Sequence, residues 1–210
     1  MRKVFEIGGV VAAVVLIAFG VTTTVMGMNG RSTVQDTLKQ EQIVGTPDMT
    51  PEATAAAAKE AGLTGDLNIP SLAVADQPID TGDEARAFAG YMRIHALEAT
   101  GGQTYAQMPR YATDDGKGTN DPELATKDEN GQPVSNGARN IWVTETALAT
   151  ALNMSYMAEQ LSLFSIIIGV ALVLAGLGFG ILAIGGALRN PDTALRFVHR
   201  RKVASSGAVS

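Results

Sequence analysis

Hydrophobic positions are concentrated in two stretches of the chain, Ile7–Met28 and Leu161–Leu188, and neither stretch contains an acidic or basic residue. A helix needs about 20 mainly apolar residues to cross the hydrocarbon core of a bilayer. Both stretches meet that length, so the pattern predicts two transmembrane helices, residues 7–28 and 161–188. The residues between them, 29–160, are far more polar and are expected to form a separate segment.

Both predicted transmembrane helices are expected to continue beyond the membrane as stalks. No helix-breaking residue separates the first stretch from Val44, after which Gly45 and Pro47 follow, and none interrupts residues 137–188. The stalks are therefore residues 29–44 and 137–160. Their apolar residues recur at helical spacing and are predicted to face each other: Val34, Leu38, Leu148 and Leu152.

Residues 45–102 are predicted to form a small, mostly helical domain between the stalks. Thr50 followed by Pro51 is a helix-start signal. A second helix is expected from about Gly82 to Thr100, and its apolar side chains cover more than one face, which indicates packing on several sides. Residues 103–136 are rich in Gly, Asn, Asp, Pro and Thr and are predicted to form a flexible loop.

The charge pattern predicts an orientation. Residues 1–6 and 189–210 contain 7 basic and 2 acidic side chains, whereas residues 29–160 contain 9 basic and 19 acidic ones. Because cytoplasmic flanks carry an excess of Lys and Arg, both termini are predicted to be cytoplasmic, with residues 29–160 outside the plasma membrane.

The acidic segment argues against a nucleic-acid partner. The basic tail is expected to contact lipid headgroups through Arg189, Arg196, Arg200, Arg201 and Lys202.

A cleaved signal peptide is the alternative interpretation of the first stretch. Its basic start fits, but the apolar part exceeds the usual core of about 7–15 residues, and no A-x-A-like cleavage site follows. An uncleaved signal anchor is therefore favoured.

Small residues indicate where the two transmembrane helices can approach closely. Gly176 and Gly180 form a G-x-x-x-G pair, and Gly9 and Ala13 have the same spacing. Packing of the two helices within one chain is favoured. A homo-oligomer, or a contact with another membrane protein, is the alternative.

Side chains suited to catalysis are few. The chain has no Cys and contains 2 His, which are His95 and His199. His95 shares an apolar helix face with Phe88 and Met92, which favours a hydrogen-bonded core residue over a catalytic base. A pocket or partner contact formed by Phe88, Tyr91, Met92 and His95 is the alternative.

Trp142 is expected either to be buried against the outer domain or to be exposed as a partner contact.

The acidic residues between Asp114 and Glu129 suggest oxygen ligands for calcium. Their spacing does not match the calcium-binding loop of EF-hands, so a solvated loop is favoured. No nucleophile elbow, phosphate-binding loop, zinc signature or dinucleotide fingerprint occurs in the sequence. No catalytic residue, metal or cofactor is therefore predicted.

The chain is similar to a family of actinobacterial two-span membrane proteins that often carry the label "aromatic ring-opening dioxygenase". The similarity rests on the layout, on RKVFEIGG at residues 2–9, on KQEQIVGTPDMTP at residues 39–51 and on the second apolar stretch. The resemblance covers nearly the whole chain and implies no catalytic residue, because its motifs are structural. Extradiol ring opening uses iron held by two His and one carboxylate. His95 and His199 are predicted on opposite sides of the membrane, so they cannot share one iron.

The sequence thus predicts a mainly α-helical protein in which a hairpin of two transmembrane helices extends outward and carries a small extracytoplasmic domain. The leading functional hypothesis is a non-enzymatic structural or partner-binding subunit of the cell envelope. A small-molecule or lipid sensor or carrier is the second hypothesis, and the ring-opening dioxygenase is a distant third.

Overall fold

The computed structural model of this protein describes residues 2–185. Within that range the chain forms four α-helices: α1 is Arg2–Glu41, α2 is Pro51–Glu60, α3 is Gly82–Ala99 and α4 is Ala138–Ile184. The backbone pairings outside the helices are isolated bridges, and none extends into a strand in this part of the chain. The prediction of a mainly helical protein with two long apolar helices is confirmed. His199 and the predicted lipid contacts, Arg189, Arg196, Arg200, Arg201 and Lys202, lie outside the described residues.

The chain divides into two compact units. The paired-helix unit comprises Met1–Arg31 and Leu161–Ser210, and the central unit comprises Ser32–Gln160. Helices α1 and α4 contribute residues to both units. Both helices are long and apolar enough to cross a membrane, and only 17% of the most apolar window of each is buried. These features are compatible with a membrane protein.

Glycines bring α1 and α4 together in the paired-helix unit. A Cβ atom added to Gly20 would lie 2.6 Å from the carbonyl oxygen of Gly169, and one added to Gly169 would lie 2.7 Å from the carbonyl oxygen of Gly20. A side chain at either position would therefore overlap the backbone of the other helix. Gly27 makes a similar approach, since its added Cβ would lie 2.7 Å from the carbonyl oxygen of Ser162. Small residues allow this close packing in lipid.

Helix α3 is the centre of the central unit. It begins with a capping box, in which the Thr81 hydroxyl accepts the Glu84 N–H and the Glu84 carboxylate accepts the Thr81 N–H. Eight residues of α3 are buried, so the helix packs on several sides as its apolar pattern indicates. The core cluster contains residues of α1, of α3, of α4 and of the segments between them: Leu38, Met49, Val74, Ile79, Ala85, Ala87, Phe88, Ala89, Tyr91 and Leu152.

Residues 103–136 fold back on themselves through backbone hydrogen bonds. The Ala112 N–H donates to the Val134 carbonyl, the Thr126 N–H to the Ala112 carbonyl, and the Val134 N–H to the Thr126 carbonyl, each at 2.9 Å. Tyr111 forms bridges with both Thr119 and Ser135. The predicted loop therefore has a defined path, and its flexibility stays a prediction.

Candidate functional site

The predicted stalk residues lie in the core of the central unit. Leu38 and Leu152 are 3% and 2% exposed and belong to the same core cluster. Val34 and Leu148 are partly buried and pack against that cluster. The two apolar faces predicted to meet thus contribute to a single core together with α3.

Phe88 and Tyr91, two of the predicted pocket residues, also belong to this core. The Tyr91 side chain is fully buried, and its hydroxyl donates to the carbonyl oxygens of Pro70 and Leu72 at 3.2 and 3.1 Å. Burial raises the pKa of Tyr91, and the negative charge of Glu52 raises it further. Tyr91 is therefore a neutral donor that holds residues 70–72 against α3.

Met92 and His95 line a cavity of about 630 Å³ between the C-terminal half of α3 and the start of α4. His95 is not enclosed in the core, because 30% of its side chain is exposed. Its Nε2 lies 3.2 Å from Oδ2 of Asp48, in the turn before α2. The hydroxyl of Thr46 donates to Asp48 and lowers the pKa of that carboxyl, and backbone hydrogen bonding and the charge of His95 act in the same direction.

Trp142 is buried, with 3% of its surface exposed. It packs with Ala96 and Met108, and its indole N–H donates to the Gln103 carbonyl at 2.9 Å. The Arg93 guanidinium lies 5.4 Å from the centre of the indole ring, close enough for a cation–π contact. Of the two roles left open for Trp142, the structure shows the buried one.

Glu159 connects three helices of the central unit. Glu159 is 4% exposed. Its carboxylate accepts the N–H of Gly82 at the start of α3 and the side-chain amide of Gln35 from α1, the latter at 2.9 Å. A carboxylate is favourable at a helix N-terminus because the unpaired N–H groups there carry partial positive charge. Gly82 permits the approach, since an added Cβ would lie 2.8 Å from the Cα of Tyr156.

The central unit contains a groove of about 1030 Å³, which we call the arginine groove. Residues 68–72 form one wall, and α3 and α4 form the rest. Arg86 and Arg93 of α3 line it, and each guanidinium lies over an aromatic ring of α4. The full lining is Asn68, Ile69, Pro70, Ser71, Leu72, Asp83, Arg86, Ala87, Ala89, Gly90, Arg93, Glu145, Thr146, Ala149, Thr150, Asn153, Met154 and Met157.

Glu145 lines both the arginine groove and the smaller cavity. Its side chain is 5% exposed, and its Oε2 accepts a hydrogen bond from the Thr146 hydroxyl at 3.2 Å. Within residues 2–185 no ion pair includes this carboxylate. Buried carboxylates are normally paired with a cation or with several hydrogen-bond donors, and the one hydrogen bond described for the Glu145 side chain is that from Thr146.

Four Asp side chains of segment 103–136 accept hydrogen bonds from within the segment: Asp114, Asp115, Asp121 and Asp128. Asp115 accepts from the Thr113 hydroxyl and the Lys117 N–H, and Asp128 accepts from the N–H groups of Asn130 and Gln132. The hydrogen bond from Thr113 lowers the pKa of Asp115. In the range 2–185 no group of three or more His, Cys, Asp or Glu side chains is arranged to hold a metal ion.

The predicted helix-packing residues lie near one another in the paired-helix unit. A Cβ added to Gly176 would lie 2.9 Å from the Ala13 carbonyl oxygen, and one added to Gly180 would lie 3.6 Å from the Ala13 Cβ. Gly9 is buried on α1. Ala13, Gly176 and Gly180 also line an apolar cavity of about 550 Å³ between the two helices.

Comparison with protein-family models, with curated proteins and with solved structures finds no match.

Arg86, Arg93 and Glu145 were not among the site residues predicted from the sequence. The two arginines are seven residues apart, which places them on one face of α3, and this spacing is visible in the sequence. Glu145 is the only charged residue between Asn140 and Met157, and this isolation is also visible in the sequence. Neither signal shows which segment covers these side chains, and that information comes from the fold.

Proposed function

We propose that this protein crosses the plasma membrane twice and binds a partner protein through its extracytoplasmic residues 29–160, as a non-enzymatic subunit of the cell envelope. One observation supports this most directly. Helices α1 and α4 carry the apolar stretches and also supply Leu38 and Leu152 to the core of the central unit. A partner held by that unit would be tethered to the membrane through continuous helices.

The orientation is part of the proposal. Both termini are cytoplasmic, because the flanks of the two apolar stretches carry the excess of Lys and Arg. The basic tail then lies beside the anionic lipids of the inner leaflet. The acidic central unit lies outside, where a partner would meet it.

Large apolar side chains exposed on the central unit are suitable positions at which to detect a partner. Leu124 is 70% exposed and Val143 is 56% exposed. Apolar side chains that become buried in a complex are typical of interface centres. A photoreactive amino acid at either position would report a neighbouring protein.

The test is cross-linking in native membranes. The full-length protein with the photoreactive residue at Leu124 or Val143 is irradiated, extracted in mild detergent and examined by mass spectrometry. We expect one protein, cross-linked from at least one of these positions and recovered with the unmodified chain in near-equal amounts. Position Phe19, which is 66% exposed in the paired-helix unit, is the control for lipid-facing background.

Two results together would overturn the partner-binding proposal. The chain would be recovered alone, and the cross-linked products at Leu124 and Val143 would be the same as those at the control position Phe19. A homo-oligomer would give cross-links between two copies of this chain. That result would support the subunit role with the chain as its own partner.

Ligand binding by the central unit is the second candidate function. The observation that favours it is the pair of cavities of about 1030 and 630 Å³, because small-molecule sites typically have volumes of about 300–1,000 Å³. Met92 and His95 line the smaller cavity, whereas Phe88 and Tyr91 belong to the core. A small molecule or lipid retained at a one-to-one ratio after purification would support a sensor or carrier.

The described residues do not fit the iron site that the dioxygenase label implies. A triad needs two His and one carboxylate, and the only carboxylate paired with His95 in the described part of the chain is Asp48. We therefore propose no iron-dependent step. Metal analysis of protein purified from its native membrane is expected to give far less than one iron per chain, and stoichiometric iron would contradict this.

A further inference from the structure

Contact between α1 and α4 loosens towards the start of α1 and the end of α4. A Cβ added to Gly169 would lie 2.7 Å from the carbonyl oxygen of Gly20, and one added to Gly176 would lie 2.9 Å from that of Ala13. One turn further along α4, a Cβ added to Gly180 would lie 3.6 Å from the Ala13 Cβ, which is an ordinary contact distance. The two helices therefore separate beyond Gly176.

The space that opens there is the apolar cavity of about 550 Å³, which we call the α1–α4 groove. It is lined between Val10 and Ile17 on α1 and between Gly176 and Gly185 on α4, and every lining residue is aliphatic or Gly. Val14 and Ile181 line the groove and are also exposed, so the groove is open on one side.

An acyl chain is suited to such a groove by its packing. Lipid chains are as apolar as aliphatic side chains, so close contact rather than the hydrophobic effect decides what lies against a helix in the bilayer. Lining atoms that face empty space lose their dispersion contacts, and a flexible chain that enters the groove restores them.

The dimensions of the α1–α4 groove favour an extended chain over a third helix. Gly176 and Gly185 are nine residues apart, about 14 Å along the helix axis, which is close to the depth of one leaflet, about 15 Å. With this length the groove has a mean cross-section of about 40 Å². A helix with its side chains is about 10 Å wide and occupies about 80 Å².

The charge of the flanking sequence indicates the headgroup of the lipid. Lys3 precedes Val10 by seven residues, and Arg189 follows Gly185 by four. Residues 1–6 and 189–210 together contain 7 basic and 2 acidic side chains. In the proposed orientation these residues lie at the cytoplasmic leaflet, which contains anionic lipids.

We propose that the α1–α4 groove holds an acyl chain of one anionic phospholipid from the cytoplasmic leaflet, whose headgroup lies beside the basic flanks. The inference rests on the proposed membrane orientation and goes beyond it by assigning a lipid site. A neutral lipid, or a helix of a second copy of this chain, would give different results in the test below.

Native mass spectrometry of the full-length protein tests the proposal. The protein is placed in nanodiscs that contain equal amounts of phosphatidylglycerol and phosphatidylcholine with the same acyl chains, and is then released from them in the spectrometer. We expect a chain that retains one phosphatidylglycerol after the other lipids are removed. Phosphatidylglycerol should exceed phosphatidylcholine about fivefold or more, the effect of one basic residue near an anionic surface.

A substitution that fills the groove should displace the lipid. Gly180→Leu adds three carbon atoms beyond a Cβ that already contacts Ala13, and we expect retained phosphatidylglycerol to fall about tenfold. Gly178→Leu is the matched control, because a Cβ added to Gly178 has no heavy atom within 4 Å and Gly178 does not line the groove. Retention by this variant should equal that of the wild type.

A second pair of variants fills the groove from α1 and replaces no glycine. Val14→Phe should reduce retention, whereas Val11→Phe should not, because both residues are exposed but Val11 does not line the groove. This pair remains informative if Gly180→Leu does not fold.

Equal retention by the wild type, Gly180→Leu and Val14→Phe would overturn the proposed site. Equal retention of the two lipids would overturn the anionic headgroup. A dimer without lipid that Gly180→Leu converts to a monomer would show that a second copy occupies the groove, and would also overturn the proposal.

The orientation and the partner are tested independently of the lipid. Thiol labelling of single cysteines at Leu124 and Ser210 reports the orientation, and cross-linking at Leu124 and Val143 reports the partner. Failure to retain lipid would therefore leave both of those proposals intact.

Discussion

Single residues hold the helices of the central unit together through polar contacts. Glu159 links α1, α3 and α4, and Tyr91 holds residues 70–72 against α3. Glu159 accepts the N–H of Gly82, and the carbonyl groups of Pro70 and Leu72 accept the Tyr91 hydroxyl. These residues therefore determine how closely the helices approach, and their effect on stability is measurable.

Gly82 is the residue at which this approach is tightest. Gly82→Ala places a Cβ 2.8 Å from both the Glu159 carboxylate and the Tyr156 Cα. Because backbone must move to relieve the overlap, we expect the free energy of unfolding to fall by about 1–3 kcal/mol. Trp142 is the only Trp in the chain, so its fluorescence in a urea titration of the full-length protein reports this unit.

The control for this substitution is Gly137→Ala. A Cβ added to Gly137 has no heavy atom within 4 Å, so the urea midpoint should stay near that of the wild type. Equal midpoints for Gly82→Ala and Gly137→Ala would contradict the close approach of α3 to α4.

We expect Asp48 to make the stability of the central unit depend on acidic pH. Its pKa in the folded protein is lowered from 3.8, mainly by the hydrogen bond from Thr46. A carboxyl with a lowered pKa contributes stability above its unfolded pKa, and this contribution is lost as the pH falls through the folded pKa. We expect Asp48→Asn to reduce the loss of thermal stability below about pH 4, measured by Trp142 fluorescence.

Thr46→Val separates the hydrogen bond from the charge. Removing the main cause of the lowered pKa should weaken the same acid dependence while leaving the carboxylate in place. An acid dependence of Asp48→Asn that matches the wild type would show that other groups are responsible.

At the scale of elements, most helix boundaries were predictable. The start of α2 after Thr50 and the start of α3 after Thr81 follow from capping residues and Pro51. Helix α1 ends at Glu41 rather than at the predicted Val44. The reason is a tertiary contact, because the Ile43 carbonyl accepts the Ile79 N–H at 2.9 Å and Val44 forms a bridge with Pro78.

Packing of α1 against α4 within one chain is testable by a disulfide, since the natural chain has no Cys. A Cβ added to Gly180 lies 3.6 Å from the Ala13 Cβ, which is within the range of about 3.5–4.5 Å for a disulfide. We expect Ala13→Cys with Gly180→Cys to form an intramolecular bond on mild oxidation, seen as a monomer with altered mobility on a non-reducing gel.

The matched control is Ala13→Cys with Gly178→Cys, because a Cβ added to Gly178 has no heavy atom within 4 Å. That pair should remain reduced. A disulfide-linked dimer formed by either single substitution would instead favour the homo-oligomer that the glycine pattern left open.

At the scale of the whole molecule, the proposed orientation places residues 29–160 outside the cell. A single cysteine at Leu124 should react with a membrane-impermeant thiol reagent in intact cells, since this residue is 70% exposed. A single cysteine at Ser210 should react only after the cells are permeabilised. Labelling of Ser210→Cys in intact cells would contradict the cytoplasmic C-terminus.

Local sequence patterns were sufficient to predict the two long apolar helices and the helical class of the central unit. The reason is that length, absence of charge and capping residues are local properties of a segment. The burial of Glu145 and Trp142, and the groove beside Arg86 and Arg93, follow from the fold and not from any local pattern. A periodic pattern shows which face of a helix is apolar, but the burial of a side chain depends on distant segments that pack over it.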